Sequence, residues 1–220
     1  MKKSILIVFL LIIALSFSAC QKNNSSNDTS SDKSATVTLS PEEIKDKIAD
    51  AVGADNFLCD TEIEEFYLTN SYGFDLSKIE SYVALQNSIS SINPDTIIIL
   101  KTKDDYADTA VDAINTIYAQ SVSYIRQYPF NTAKVLNAKL YSEADYVIYV
   151  IAGASYDGED SEEENRLAVS EYEKIDEAIK DIFGKLPENK AVVPEDTGSA
   201  GGLIVPDESN DEDSVPLLGG

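Results

Sequence analysis

The sequence predicts an α+β domain with one mainly antiparallel sheet, and two features of the chain indicate this fold class. Runs rich in β-branched and aromatic residues are joined to one another by short polar segments, as in antiparallel hairpins. Helical patterns with one apolar face precede, separate and follow these runs. Strands that are linked as hairpins and set apart from the helices are typical of an α+β fold, and we expect the helices to cover one face of the sheet.

Two helices with N-terminal capping signals are predicted before the first strand. Ser40, Pro41 and Glu43 have the pattern of an N-cap, a proline at the first helical position and a capping-box glutamate. A second capping pattern at Thr61 predicts a short helix that ends at Gly73. Both helices are expected to pack an apolar face on the sheet.

Four strands are predicted, in two pairs on either side of a long helix. The second strand is a continuous β-branched run, which is typical of a strand covered on both faces or inside a core. An apolar stripe predicts the long helix, and a final helix is predicted at 162–183. The predicted strands are 79–85, 96–101, 138–142 and 146–152, and the long helix is 103–128.

The first twenty residues have the pattern of a bacterial lipoprotein signal peptide. Lys2 and Lys3 precede an apolar run at 5–15, and small residues then lead to Cys20. The run is too short for a membrane-spanning helix, which needs roughly twenty apolar residues. Phe17 stands where such signals usually have leucine, so a plain secretory signal is the alternative. We therefore expect cleavage after residue 19 and a palmitate-type anchor on Cys20.

Three further segments follow from composition. Residues 20–39 are polar and predict a disordered tether, 40–185 contain the predicted globular domain, and 186–220 predict a disordered acidic tail. The anchor and tether together predict a protein held by lipid on the outer face of the cell membrane.

The acidic composition limits the possible partners. The chain has 39 acidic and 17 basic residues and a formal charge of −22. A protein this acidic is not expected to bind nucleic acid, since phosphates require clustered lysine and arginine. It is also repelled by anionic headgroups, so the lipid anchor is the expected membrane contact. A protein partner or a cationic component of the cell envelope is compatible with the charge.

Several catalytic and metal-binding chemistries are excluded because the chain has no histidine. This absence rules out a Ser-His-Asp triad, a Cys-His pair and histidine zinc ligands. No glycine-rich phosphate loop is present, so we expect no cofactor, and the acidic run at 157–164 lacks calcium-loop spacing. Cys59 is predicted to pack as a small apolar residue, with an intermolecular disulfide or a reactive thiol as the alternatives.

A pair of tyrosines near the end of the long helix is the candidate interaction surface. Tyr124 and Tyr128 lie one helical turn apart, directly before Pro129. Tyrosine is enriched at interfaces, so these residues could form an exposed aromatic patch. The alternative, which the pattern favours, is that they cap the core beneath the helix. Tyr146 and Tyr149, in an apolar strand, are predicted to be buried.

Five segments in the middle of the chain share the pattern of a known family: 79–84, 95–101, 127–130, 134–138 and 145–150. Over about residues 42–155 the chain resembles a family of Gram-positive lipoproteins called domain of unknown function 4358. The Tyr-Pro corner after the long helix and the tyrosine-rich last strand are the most specific features of this resemblance. The family has no established activity, so the resemblance implies no catalytic or binding residues.

Three functional hypotheses remain from the sequence. The first is a non-enzymatic binding or interaction module, which the missing catalytic sets favour. The second is an extracytoplasmic hydrolase that uses two carboxylates about 5–10 Å apart in a cleft. The third is a small solute-binding component.

The lipid anchor gives a direct test. We expect metabolic labelling with palmitate to mark the wild-type chain and not the Cys20→Ala variant, because the thiol is the acceptor atom. Label that persists in the variant would contradict the lipoprotein prediction.

Overall fold

The computed structural model describes residues 37–196, which form one mixed α/β domain. Its five helices are α1 (Pro41–Val52), α2 (Glu65–Asn70), α3 (Ala107–Gln127), α4 (Thr132–Leu136) and α5 (Ser161–Phe183). Its five strands are β1 (Thr61–Glu62), β2 (Ile79–Gln86), β3 (Thr96–Thr102), β4 (Lys139–Glu143) and β5 (Tyr146–Ile151).

The strands form a single antiparallel sheet in the order β1-β2-β3-β5-β4. β3 is the central strand and pairs with β2 on one side and β5 on the other. β4 and β5 form a tight hairpin in which Glu143 pairs with Tyr146. Ala144 takes a positive φ of 53° there, which lets two residues reverse the chain.

Helices cover both faces of the sheet, because alternate side chains of a strand point to opposite sides. On one face, Ile98 and Leu100 of β3 pack in a core cluster with α3 and α4. On the other face, Ile97 and Ile99 pack in a second cluster with α1 and α5. This arrangement explains the uninterrupted apolar sequence of β3, which is buried on both sides.

Two parts of the predicted architecture were wrong. The prediction that helices cover one face fails because α1 and α5 pack on the face opposite α3. The prediction of four strands fails because Thr61 and Glu62, expected to begin a helix, pair with the end of β2. The amide of Ile63 also donates to the carbonyl of Ala84, so pairing overrides the capping pattern and α2 begins at Glu65.

The helix α4 was not predicted, whereas the other predicted elements agree with the structure to within a few residues. The capping box before α1 is confirmed, since Ser40 Oγ accepts from the Glu43 amide and Glu43 Oε2 accepts from the Ser40 amide. The long helix begins at Ala107 instead of residue 103, after Asp104 takes a positive φ. It ends at Gln127, two residues before Pro129. This end was expected, because a proline disfavours helical backbone at the residue that precedes it.

Both ends of the described chain lie on the domain. The carbonyl of Leu39 accepts from Tyr146 OH at 2.6 Å, so the predicted tether meets the domain before residue 40. Lys190 donates its amide to the Leu140 carbonyl, and Arg126 donates to the Pro194 carbonyl. Residues 187–196 therefore run along β4 and α3, although the sequence placed them in the acidic tail.

The predicted leader, Cys20 and most of the tether and acidic tail lie outside the described residues. Within residues 37–196, no helix is long and apolar enough to span a membrane.

The capping box predicts a stability effect. We expect Ser40→Ala to lower the free energy of unfolding by about 1 kcal/mol, because the Glu43 amide loses its acceptor. Ser40→Asp is the matched control and should retain most of the stability, since aspartate also caps helices. Urea denaturation monitored by circular dichroism measures both, and equal stability of the alanine and aspartate variants would contradict the assignment.

Candidate functional site

An open groove of about 300 Å³ lies beside the C-terminal half of α3. Its walls come from α3, the connection between β2 and β3, and the segment that joins α3 to α4. Fourteen residues line it, eight apolar or aromatic and six polar. The apolar and aromatic residues are Tyr72, Ile92, Pro94, Tyr124, Ile125, Tyr128, Phe130 and Val135. The polar residues are Gln86, Ser90, Ser91, Thr96, Gln120 and Ser121.

The groove displays large apolar side chains to solvent. Tyr124 and Tyr128 are 46% and 61% exposed, and their ring centroids lie 5.1 Å apart. Phe130 and Ile92 are also exposed. The alternative that the two tyrosines cap the core does not fit this exposure. Pro129 is exposed beside them but is not among the residues that line the groove.

The groove has no charged side chain among the described residues that line it. This is notable in a chain whose formal charge is −22. The polar lining consists of hydroxyl and amide groups, which both donate and accept hydrogen bonds. The groove therefore suits an uncharged ligand surface with mixed apolar and hydrogen-bonding character.

A buried ion pair lies behind the groove wall. Lys134 Nζ lies 2.8 Å from Asp95 Oδ1, and the two side chains are 3% and 0% exposed. The same ammonium donates to Ser155 Oγ at 3.2 Å.

The ion pair joins two walls of the groove. Asp95 lies between Pro94 and Thr96, which both line the groove, and Lys134 precedes Val135, which also lines it. The connection between β2 and β3 is thereby held to α4. A side-chain contact between residues 39 positions apart in the sequence fixes the shape of this part of the surface.

Two buried tyrosines, one from each core cluster, donate hydrogen bonds to α4. Tyr118 OH donates to the Val135 carbonyl at 2.9 Å, and Tyr172 OH donates to the Lys134 carbonyl at 2.8 Å. Burial raises the pKa of Tyr118 to about 12, so its hydroxyl keeps the proton that it donates. These contacts satisfy carbonyls at the end of a short helix, where intrahelical partners are missing.

Burial controls the protonation of the groups near the ion pair. It raises the pKa of the Asp95 carboxyl, and the Lys134 ammonium opposes that shift. Oδ2 of Asp95 has no hydrogen-bond partner among the described residues. Burial also raises the pKa of the Cys59 thiol, and the charge of Asp95 raises it further. Cys59 is 8% exposed, which agrees with the prediction that it packs in the core as a small apolar residue. With its pKa raised, the thiol keeps its proton.

Carboxylates are concentrated away from the groove. A second concavity is lined by Glu42, Glu62, Glu64 and Glu65, and all four side chains are exposed. Within the described part of the chain, no group of three or more cysteine, aspartate or glutamate residues could hold a metal ion. In the acidic run before α5, Asp160 acts as the N-cap by accepting from the amides of Glu162 and Glu163.

Sequence reasoning found only part of the groove. Tyr124 and Tyr128 were identified because they lie one helical turn apart on one helix. Ile92 and Phe130 were missed because each lies in a connecting segment without periodicity. The pairing of Lys134 with Asp95 was also missed. The available signal was the position of the lysine between Ala133 and Val135, since apolar neighbours indicate a buried site.

Comparison with known proteins identifies part of the domain. A family model described as Domain of unknown function (DUF4358) matches residues 58–152. The match includes all five strands, α2, α3 and α4, and therefore the whole groove and the buried ion pair. It does not include α1 or α5. Neither a curated protein nor a solved structure matches the chain.

The ion pair predicts a non-additive effect on stability. We expect Lys134→Met to lower the free energy of unfolding by about 3–5 kcal/mol, because it leaves the Asp95 charge buried without a partner. The double variant Asp95→Ala/Lys134→Met should lose less than the sum of the two single variants, since it buries no unpaired charge. Urea denaturation of all three variants measures the coupling, and additive losses would contradict it.

The pH dependence of Lys134→Met provides a second check. Its native state should bind a proton at Asp95 more tightly than the unfolded state does, because burial raises the pKa of this carboxyl. The stability of Lys134→Met should therefore rise as the pH falls from neutral toward about 4. The stability of each variant is compared with that of the wild type at the same pH. Asp95→Ala lacks the titrating carboxyl, so its relative stability should show no such recovery.

Proposed function

We propose that this protein is a lipid-anchored, non-enzymatic binding module on the outer face of the cell membrane, and that it binds its partner in the aromatic groove. The observation that supports this proposal most directly is the groove itself, which combines exposed aromatic side chains with an uncharged polar lining. The anchor on Cys20 and the tether at 20–39 rest on the sequence pattern alone.

The exposed aromatic residues offer binding energy that the folded domain leaves unused. Burial of a large apolar side chain contributes about 1.5–3 kcal/mol, and Tyr124, Tyr128 and Phe130 are all substantially exposed. Tyrosines are also common among the residues that dominate binding energy at interfaces. A ligand that covers this surface would therefore gain more binding free energy than a ligand that covers a typical polar surface.

The fixed walls of the groove favour binding without rearrangement. Tyr124 and Tyr128 lie on or beside the long helix α3, and the opposite wall is held by the Asp95–Lys134 ion pair. A preorganised site loses less conformational entropy when it binds a ligand. The fixed walls therefore support a binding role for the groove.

The proposed function predicts that cell-envelope binding depends on the two tyrosines. Residues 21–220, produced without the lipid, should bind isolated envelopes of the source cells, and Tyr124→Ala/Tyr128→Ala should reduce the bound fraction at least tenfold. The reason is the loss of two aromatic contacts, each worth about 1–2 kcal/mol. A co-sedimentation assay at fixed salt concentration measures the effect.

A matched control is available on α2. Phe66 and Tyr67 are also exposed, and their rings lie 5.6 Å apart in an edge-to-face contact. Phe66→Ala/Tyr67→Ala removes the same kind of aromatic pair at a different site and should leave envelope binding unchanged. Equal losses in the two double variants, or no loss in either, would argue against the groove as the binding site.

A further inference from the structure

We infer that the ligand of the groove is an uncharged carbohydrate chain; this inference rests on the proposed function and specifies its ligand. The groove combines two tyrosine rings in contact, a lining without charge, and hydroxyl and amide groups on the remaining wall. Each of these features selects a different property of the ligand.

The charge of the ligand follows from the groove and its surroundings. An ionised ligand group would lose hydration in the groove without meeting an opposite charge among the described lining residues. The net charge of −22 also repels anionic polymers such as polyphosphates and uronic-acid chains. A cationic ligand would find a better partner in the second concavity, where four glutamates outnumber the single lysine, Lys45. A neutral ligand is the class that the groove favours.

The aromatic rings indicate the shape of the ligand. A sugar ring has a flat face of C–H groups, which packs on an aromatic ring, and a rim of hydroxyl groups, which needs hydrogen-bond partners. Tyr124 and Tyr128 have ring centroids 5.1 Å apart and planes tilted by 40°, so the two rings pack together and form one exposed aromatic surface. Phe130 lines the same groove. One sugar ring of a chain would pack on this surface, and its neighbours would extend along the open groove.

The polar side chains match the rim of a sugar. Gln86, Gln120 and Ser121 are among the lining residues, and their amide and hydroxyl groups can both donate and accept. Sugar hydroxyls also donate and accept, so in each hydrogen bond either partner can be the donor. The volume of about 300 Å³ is at the lower end for small-ligand sites, and the open groove would therefore hold a short part of a longer chain.

The test uses residues 21–220 and named oligosaccharides. The neutral probes are cellotetraose, maltotetraose and chitotetraose; the charged probes are tetragalacturonate and fully deacetylated chitotetraose. We expect at least one neutral probe to bind with a Kd on the order of 0.1–1 mM, measured by chemical-shift changes in NMR spectra. Each charged probe should bind in the groove at least tenfold more weakly than that neutral probe.

Variants locate the binding site. Tyr124→Ala/Tyr128→Ala should weaken binding of the neutral probe at least tenfold, whereas Tyr124→Phe should change it by less than about threefold, because the stacking ring remains. Phe66→Ala/Tyr67→Ala should not change it. All these positions are exposed, and unchanged urea denaturation would show that the variants are folded.

The outcomes separate this inference from the proposed function. Absence of binding by every neutral probe at about 10 mM would overturn the carbohydrate inference, and so would equally tight binding of a charged probe that Tyr124→Ala/Tyr128→Ala weakens to the same extent. If envelope binding still required Tyr124 and Tyr128 in that case, the groove would remain the binding site for another ligand, such as a protein segment. Probe binding and envelope binding that both survive Tyr124→Ala/Tyr128→Ala would overturn the inference and the proposed function together.

Discussion

The ion pair between Asp95 and Lys134 is the constraint on which the candidate site depends. Both charges are almost completely buried, so the contact must offset the loss of hydration of two ions. Such a pair adds little net stability compared with apolar residues of similar size, but removing one partner is costly. Its main physical consequence is therefore positional, because it holds the start of β3 against α4 and leaves a groove between their neighbours.

The sheet explains why the pair is buried at all. β3 is the central strand and has helices on both faces, so Asp95 directly before it enters the core and cannot keep its water shell. Lys134 brings the compensating charge from a helix of only five residues. The hydroxyls of Tyr118 and Tyr172 then donate hydrogen bonds to backbone carbonyls of that helix. A short helix that would be unstable by itself becomes a fixed wall of the surface.

A rigid, uncharged groove on a strongly acidic domain connects the fold to the proposed role. The acidic side chains keep the surface hydrated and repel other acidic polymers. The exposed aromatic residues provide the place where a ligand can replace water with apolar contact. Under the proposed function, the acidic surface would stay hydrated while the groove presents one specific surface to the ligand.

The sequence by itself determined the features that arise within one segment: the capping box at Ser40, the end of the long helix before Pro129, the four main strands and the two neighbouring tyrosines at the end of α3. Each depends on contacts between residues close in the chain, where propensity and periodicity have direct physical meaning. Only the tertiary structure decided that Thr61 joins the sheet, that helices cover both faces, and that Asp95 meets Lys134. These outcomes depend on contacts between distant segments, and local patterns contain no information about which distant partner lowers the free energy most.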